Sequence, residues 1–113
     1  MIPGMTIISV LYPRNGDSQF DHEYYQKKHM PLVQLRWANL GLVKMEWMRG
    51  VVAPDGGMPE YEVITLLTFV SKEAFESALA ASGAEVVGDI ANFTNVQPLI
   101  QINELVSGIT MHN

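Results

Sequence analysis

Runs of apolar residues along the chain predict four β-strands, each bounded by glycine, proline or polar residues. The predicted strands are residues 5–12, 42–52, 61–70 and 99–106. The first is rich in β-branched side chains, and the second alternates between apolar and polar positions. The third is almost continuously apolar, so we expect it to be a central strand with both faces covered.

A first helix is predicted between the first two strands. It begins at Asp17 or Ser18, which are good N-cap residues, and runs to about Asn39, with Gly41 as its C-cap. Apolar residues at helical spacing predict its packed face, which consists of Phe20, Tyr24, Leu32 and Leu35.

A proline interrupts this first helix. Pro31 has no N–H, its ring opposes the carbonyl of Lys27, and it disfavours a helical conformation of Met30. We therefore predict a kink or restart at Met30 and Pro31, with His29 exposed on the last turn before it.

A second helix is predicted after the third strand. Ser71 is its N-cap, and Gly83 marks its end. Residues 85–91 are predicted to form a short additional helix, and residues 107–113 a frayed tail.

The resulting order βαββαβ predicts a ferredoxin-like α+β domain over residues 1–113, with an antiparallel sheet and both helices on one face. On the last strand, Ile100 and Ile102 form an apolar side suited to the helices. The opposite side is mixed and consists of Leu99, Gln101, Asn103 and Leu105. It fits the interior of a barrel made by the sheets of two subunits, or else it faces solvent in an open sheet. Which face of the sheet lines a ligand cavity stays open.

Composition supports contact between subunits and excludes several classes of protein. The chain has 113 residues, of which 48% are hydrophobic and 17% charged, which is an apolar composition for so small a monomer. The net charge of −5 argues against nucleic-acid binding, and the absence of cysteine excludes disulfides and thiolate chemistry. No apolar stretch is long enough to span a membrane and no leader sequence is recognisable, so we expect a cytoplasmic protein without a membrane partner.

His29 is the candidate for acid–base chemistry. It lies four residues after Tyr25, so both side chains share one stripe of the helix, and Tyr25 or Tyr61 could donate a proton. The simpler interpretation is an ordinary surface or core histidine. His22 and His29 are seven residues apart, which is too far to share one metal ion, so we expect no metal site. A single His29 could still bind a haem iron.

The segment FDHEYYQKKHMPL at residues 20–32 resembles the EthD family of small dimeric α+β barrel proteins. A second segment, GDIANFTN at residues 88–95, is similar to the family's sequence before its last strand, with Asn95 where the family often has aspartate. The resemblance covers about residues 5–106 and implies a homodimeric barrel.

The same resemblance implies a small, largely apolar, oxygenated organic ligand near His29, in the catabolism of ethers, lactones or aromatic compounds. No cofactor is expected. As catalytic residues we predict His29 and Tyr25, with His29 moving a proton on a carbon next to a carbonyl group. As ligand-binding residues we predict Trp47, Tyr61, Asn92 and Phe93. The alternatives are a non-catalytic carrier or accessory protein, and a haem-binding or cofactor-free monooxygenase-like barrel.

Overall fold

Four antiparallel strands form the single sheet of the computed structural model, which describes residues 4–112. The strands are β1 (Thr6–Pro13), β2 (Leu42–Arg49), β3 (Tyr61–Phe69) and β4 (Leu99–Glu104). Their order is β2-β3-β1-β4, which places β3 inside the sheet as predicted. Together with the two helices this arrangement confirms the ferredoxin-like α+β fold.

The first helix, α1, is continuous and contains one wide turn. Its segments are an α-helical turn His22–Tyr24, a π-helical turn Tyr25–His29 and an α-helix Met30–Trp37. The N–H of Met30 donates to the carbonyl of Tyr25, five residues back, and Met30 keeps helical angles of φ −64° and ψ −38°. The α-helical hydrogen bonding thus restarts at Met30 with Pro31 in its first turn, as predicted, but the irregularity is a wide turn ahead of the proline and the chain does not leave the helix.

The wide turn also changes which side chains of α1 are packed. Leu35, predicted to be in the core, is 70% exposed, whereas the neighbouring positions Val33 and Trp37 are buried. One extra residue in a turn rotates all later side chains around the helix axis, and regular helical spacing cannot anticipate this shift.

The second helix, α2 (Lys72–Gly88), begins where the sequence predicts and ends later. The Ser71 hydroxyl accepts a hydrogen bond from the N–H of Ala74 at 3.0 Å, which confirms the cap. The helix passes through the buried Gly83 and is followed by a 3-10 turn, Asp89–Asn92, so the predicted end at Gly83 is wrong. Burial of the apolar face, including Val86, outweighs the roughly 1 kcal/mol cost of a glycine within a helix.

Both helices pack on one face of the sheet, as predicted. The core between them consists mainly of large side chains, among them Ile8, Tyr12, Met30, Val33, Trp37, Val63, Leu67, Phe69 and Phe75. The indole N–H of Trp37 donates to the carbonyl of Ala78 at 3.0 Å and so joins α1 to α2. The strand register places Ile100 and Ile102 on this face, opposite Val10 and Ile8, but both isoleucines stay about half exposed.

The opposite face of the sheet carries apolar and polar side chains and is left open by the two helices. Its apolar part includes Leu11, Ile64, Leu66 and Met48. On its polar part the Asn103 amide donates to the Ile7 carbonyl at 2.8 Å and to the Ser9 hydroxyl at 2.7 Å. Ile64 and Leu66 of β3 are only partly buried on this face, so within one chain the prediction that both faces of β3 are covered is wrong.

Regular structure ends before the chain does. β4 stops at Glu104, and residues 107–112 contain neither helix nor strand and are exposed.

None of the helices within residues 4–112 has the length and hydrophobicity needed to cross a membrane.

Gly41 follows a 3-10 turn, Ala38–Leu40, at φ +102°, which confirms it as the predicted C-cap. A Cβ atom at Gly41 would lie 2.7 Å from the Cβ of Ala74 on α2, whereas Gly56, at φ +88°, has open space around it. Gly41 therefore combines a left-handed backbone with close packing.

We predict that Gly41→Ala lowers the free energy of unfolding by about 2–4 kcal/mol, because a strained backbone and a steric clash add together. Gly56→Ala, which introduces the backbone strain alone, is expected to cost about 1–2 kcal/mol. Urea unfolding of both variants measures the difference. Equal losses would show that α2 can move away from residue 41 without cost.

Candidate functional site

His29 lies inside the protein on the π-helical turn of α1. Its side chain is 5% exposed, so the predicted exposure of His29 is wrong. Its side chain points toward the turn that follows α2, where a carboxylate accepts its ring N–H. A buried imidazole needs such a partner because an unpaired N–H away from water is costly.

That partner is Asp89, the first residue of the 3-10 turn after α2. Its Oδ2 lies 2.9 Å from Nδ1 of His29, and its Oδ1 accepts hydrogen bonds from the Tyr24 hydroxyl at 2.7 Å and the Asn92 amide at 3.0 Å. Since an ionised carboxylate accepts and cannot donate, Nδ1 carries the proton and Nε2 has the free lone pair. No sequence pattern predicts this role of Asp89, because 60 residues separate the pair and no local spacing connects them.

Burial and hydrogen bonds set the protonation of the pair. Burial lowers the pKa of His29 below its ordinary value, although the hydrogen bond and charge of Asp89 oppose the shift. Burial alone would raise the pKa of Asp89, but hydrogen bonds from Tyr24, Asn92 and His29 lower it overall. At neutral pH the pair is therefore a neutral imidazole beside a carboxylate.

Tyr25 stacks on His29, with ring centroids 5.3 Å apart and planes inclined by 21°. Its hydroxyl forms a short hydrogen bond with the Thr65 hydroxyl on β3. Burial raises the pKa of Tyr25 to about 12, against the effect of its hydrogen bonds to Thr65 and Tyr12. Tyr25 is thus a neutral phenol beside the histidine, as a proton or hydrogen-bond donor must be. Thr65 was not predicted, because nothing in the apolar run of β3 distinguishes it.

A small cavity lies between the sheet and the helices at this position. Its volume is about 60 Å³, and its polar lining comprises His29, Tyr25, Tyr12 and Thr65 among apolar side chains such as Val33. This volume holds roughly four to six water-sized groups, well below the 300–1,000 Å³ of typical ligand pockets. This cavity therefore lies on the helix face of the sheet.

The structure places the four predicted ligand-binding residues at different distances from this cavity. The Phe93 ring is buried 4.6 Å from the ring of His29, and Asn92 contacts Asp89 instead of the cavity. Trp47 lies edge-on to Tyr25 with centroids 6.4 Å apart, outside the cavity lining, and Tyr61 pairs with Pro13 at the start of β3. The geometry thus groups Phe93 with His29 and leaves Trp47 and Tyr61 apart.

Asn95, where the sequence departs from the EthD pattern, connects two loops. Its side-chain oxygen accepts from the N–H of Gln19 at 2.8 Å, and its amide donates to the carbonyl of Asp17 at 2.9 Å. An aspartate could accept the first bond but could not donate the second. The asparagine therefore fixes the segment that leads into α1.

The residues near His29 do not suit a haem group. The cavity is much smaller than a macrocycle, and the imidazole is enclosed by Phe93, Tyr25 and Asp89. Within residues 4–112, no group of three or more His, Asp or Glu side chains is placed to hold a metal ion.

Comparison with solved structures shows relatives that align along almost the whole chain. An EthD-like protein of Ralstonia eutropha JMP134 is 33% identical, with a TM-score of 0.87 over 96% of this chain and 97% of that chain. No protein-family model and no curated protein matches the chain.

More distant structures share the fold. SnoaB, a cofactor-independent oxygenase from Streptomyces nogalater, is 12% identical with a TM-score of 0.56, covering 96% of this chain and 97% of its own. A dimeric ferredoxin-like protein from an uncultured marine organism is 12% identical with a TM-score of 0.51, covering 95% of this chain and 99% of its own. At these identities the likeness concerns the fold alone.

We predict that Asp89→Asn lowers the pKa of His29 further, because the carboxylate that favours the imidazolium is lost while burial is unchanged. NMR titration of the histidine ring protons measures this shift. Glu85→Gln on α2, which removes a carboxylate paired with Arg36 instead of His29, is the matched control and should leave the titration of His29 unchanged. An unchanged His29 in Asp89→Asn would contradict the pairing.

Proposed function

The chain belongs to the EthD-like family, and on this basis we propose that it binds a small, largely apolar, oxygenated organic molecule beside His29 and catalyses a proton transfer on it without a cofactor. The catabolism of ethers, lactones or aromatic compounds is the proposed setting. The observation that carries the proposal is the hydrogen bond between the partly buried Asp89 and the buried His29, which lines an apolar cavity.

The pair is suited to the work of a general base. Nε2 of His29 would remove a proton from a carbon next to a carbonyl group, and the imidazolium that forms would be stabilised by the carboxylate of Asp89. The electron pair of the broken C–H bond would move to the carbonyl oxygen, toward which the neutral Tyr25 hydroxyl could donate a hydrogen bond. In a substrate with a C=C bond beside the new enolate, return of the proton from Nε2 to the far carbon of that bond would shift the double bond, re-form the carbonyl group and complete an isomerisation; without such a bond the proton returns to the same carbon, which is proton exchange.

A second candidate is a carrier that binds the same molecule without converting it. The small cavity and its largely apolar lining favour this candidate as well, since binding of an apolar molecule requires no base. The two functions differ in whether the histidine changes the rate of a reaction or merely lines the site.

We further propose that two copies of the chain pair through the open face of the sheet. This face contains the apolar side chains Leu11, Ile64, Leu66 and Met48, which the two helices leave uncovered. Large apolar patches on small proteins commonly mark subunit contacts. The distant relative from the marine organism, which is described as dimeric and ferredoxin-like, supports this assembly.

Proton transfer is tested with cyclopentanone in D₂O, by following the exchange of the protons next to its carbonyl group by NMR. We expect the protein to accelerate this exchange, and His29→Gln to reduce the acceleration by about 10²-fold or more. His22→Gln, on the same helix but bonded to Glu62, is the control and should keep the wild-type rate. Binding of cyclopentanone without faster exchange would favour the carrier, and no binding would contradict both functions.

Subunit pairing is tested by sedimentation of the wild type and of Leu66→Glu. We expect the wild type to sediment as a dimer of two 12.6 kDa chains. Leu66→Glu places a charge on the open face and should sediment as a folded monomer. Val51→Glu, in an exposed loop, is the control and should remain dimeric. A wild type that sediments as a monomer at micromolar concentration would contradict the proposed assembly.

A further inference from the structure

We propose that the cavity at His29 and a larger groove next to it form one two-part site for a neutral, elongated molecule. The reacting end would enter the inner cavity, and an apolar remainder would lie in the outer groove. This inference rests on the proposed function, because it takes His29 as the place where the reacting end binds.

The two spaces are neighbours because they share part of their lining. Val87 and Ile90, near the end of α2, and Ile100 on β4 line both the inner cavity and the outer groove. These three side chains therefore form a neck between the two spaces. Val87 and Ile100 are about half exposed, so the neck is reached from solvent.

Because the inner cavity is much smaller than the outer groove, it would hold the smaller part of the ligand. The inner cavity of about 60 Å³ holds a carbonyl group and a few attached carbons, whereas the outer groove measures about 400 Å³. A molecule that fills the inner space and extends through the neck would bury additional apolar surface on Val87, Ile90 and Ile100. Each buried methylene should strengthen binding roughly fourfold.

The outer groove also selects by charge. None of the residues that line it is charged, and the side chains of Thr94 and Asn95 already bond to Gln19 within the protein. Gln97 lines the groove and is exposed, so its amide can bond to an uncharged oxygen. Behind the inner cavity stands the Asp89 carboxylate, which would repel an anion. A carboxylate or phosphate ester finds no counter-charge along this path.

The test compares ligands of increasing length in the full-length protein. The indole N–H signal of Trp37, which lines the inner cavity, reports binding of 2-butanone, 2-octanone and octanoate in NMR titrations at pH 7.5. 2-Octanone has four more methylenes than 2-butanone, so at roughly fourfold each we expect it to bind up to about 250-fold more tightly, and octanoate to bind more weakly than 2-octanone. Val87→Trp should fill the groove and remove the gain with length, whereas Val51→Trp, in an exposed loop, should keep it.

Other results of these titrations would overturn the two-part site, the neutral class of ligand or the proposed function. A gain with length that survives in Val87→Trp, or 2-butanone and 2-octanone binding equally, would overturn the two-part site and leave the proposed function standing. Octanoate binding as tightly as 2-octanone would overturn the neutral class. Loss of the dimer in Val87→Trp alone would assign the groove to a subunit contact and also overturn the proposal. If neither ketone shifts the Trp37 signal in the wild type, the proposed function itself fails.

Discussion

The hydrogen bond between the buried His29 and the partly buried Asp89 is the contact on which the candidate site depends. It joins the middle of α1 to the turn after α2, and it lies within an otherwise apolar environment where an unpaired imidazole N–H would be unfavourable. Tyr24 and Asn92 hold the other oxygen of the carboxylate, so its position does not depend on the histidine alone. The pair therefore has a fixed orientation and a defined proton, as a general base requires.

The π-helical turn makes this contact geometrically available. With regular α-helical spacing, the packed stripe of α1 would run through Leu32 and Leu35. Tyr25 and His29 stack on each other inside the protein, and the wide turn between them rotates the later residues so that Val33 and Trp37 enter the core. Wide turns of this kind often occur at functional sites, because a less regular backbone persists where the surrounding packing supports it.

Local patterns in the sequence were sufficient for the fold but not for the site. Strand composition, the Ser71 cap and the Gly41 turn each act over a few residues, so the four strands and two helices could be predicted. His29 and Tyr25 could be proposed from their spacing and from the resemblance to EthD proteins. Asp89 and Thr65 could not, since each meets its partner across the fold, and the π-helical turn has no sequence signal beyond the nearby proline.

The most direct test of the central claim is a long-range ¹H–¹⁵N NMR spectrum of the histidine rings at pH 7.5, recorded with and without cyclopentanone. The proposed site predicts that Nδ1 of His29 is protonated, that Nε2 is not, and that the ketone shifts the Nε2 signal. A protonated Nε2, or an Nε2 signal that does not respond to the ketone, would contradict the claim and make His29 a structural residue of the core.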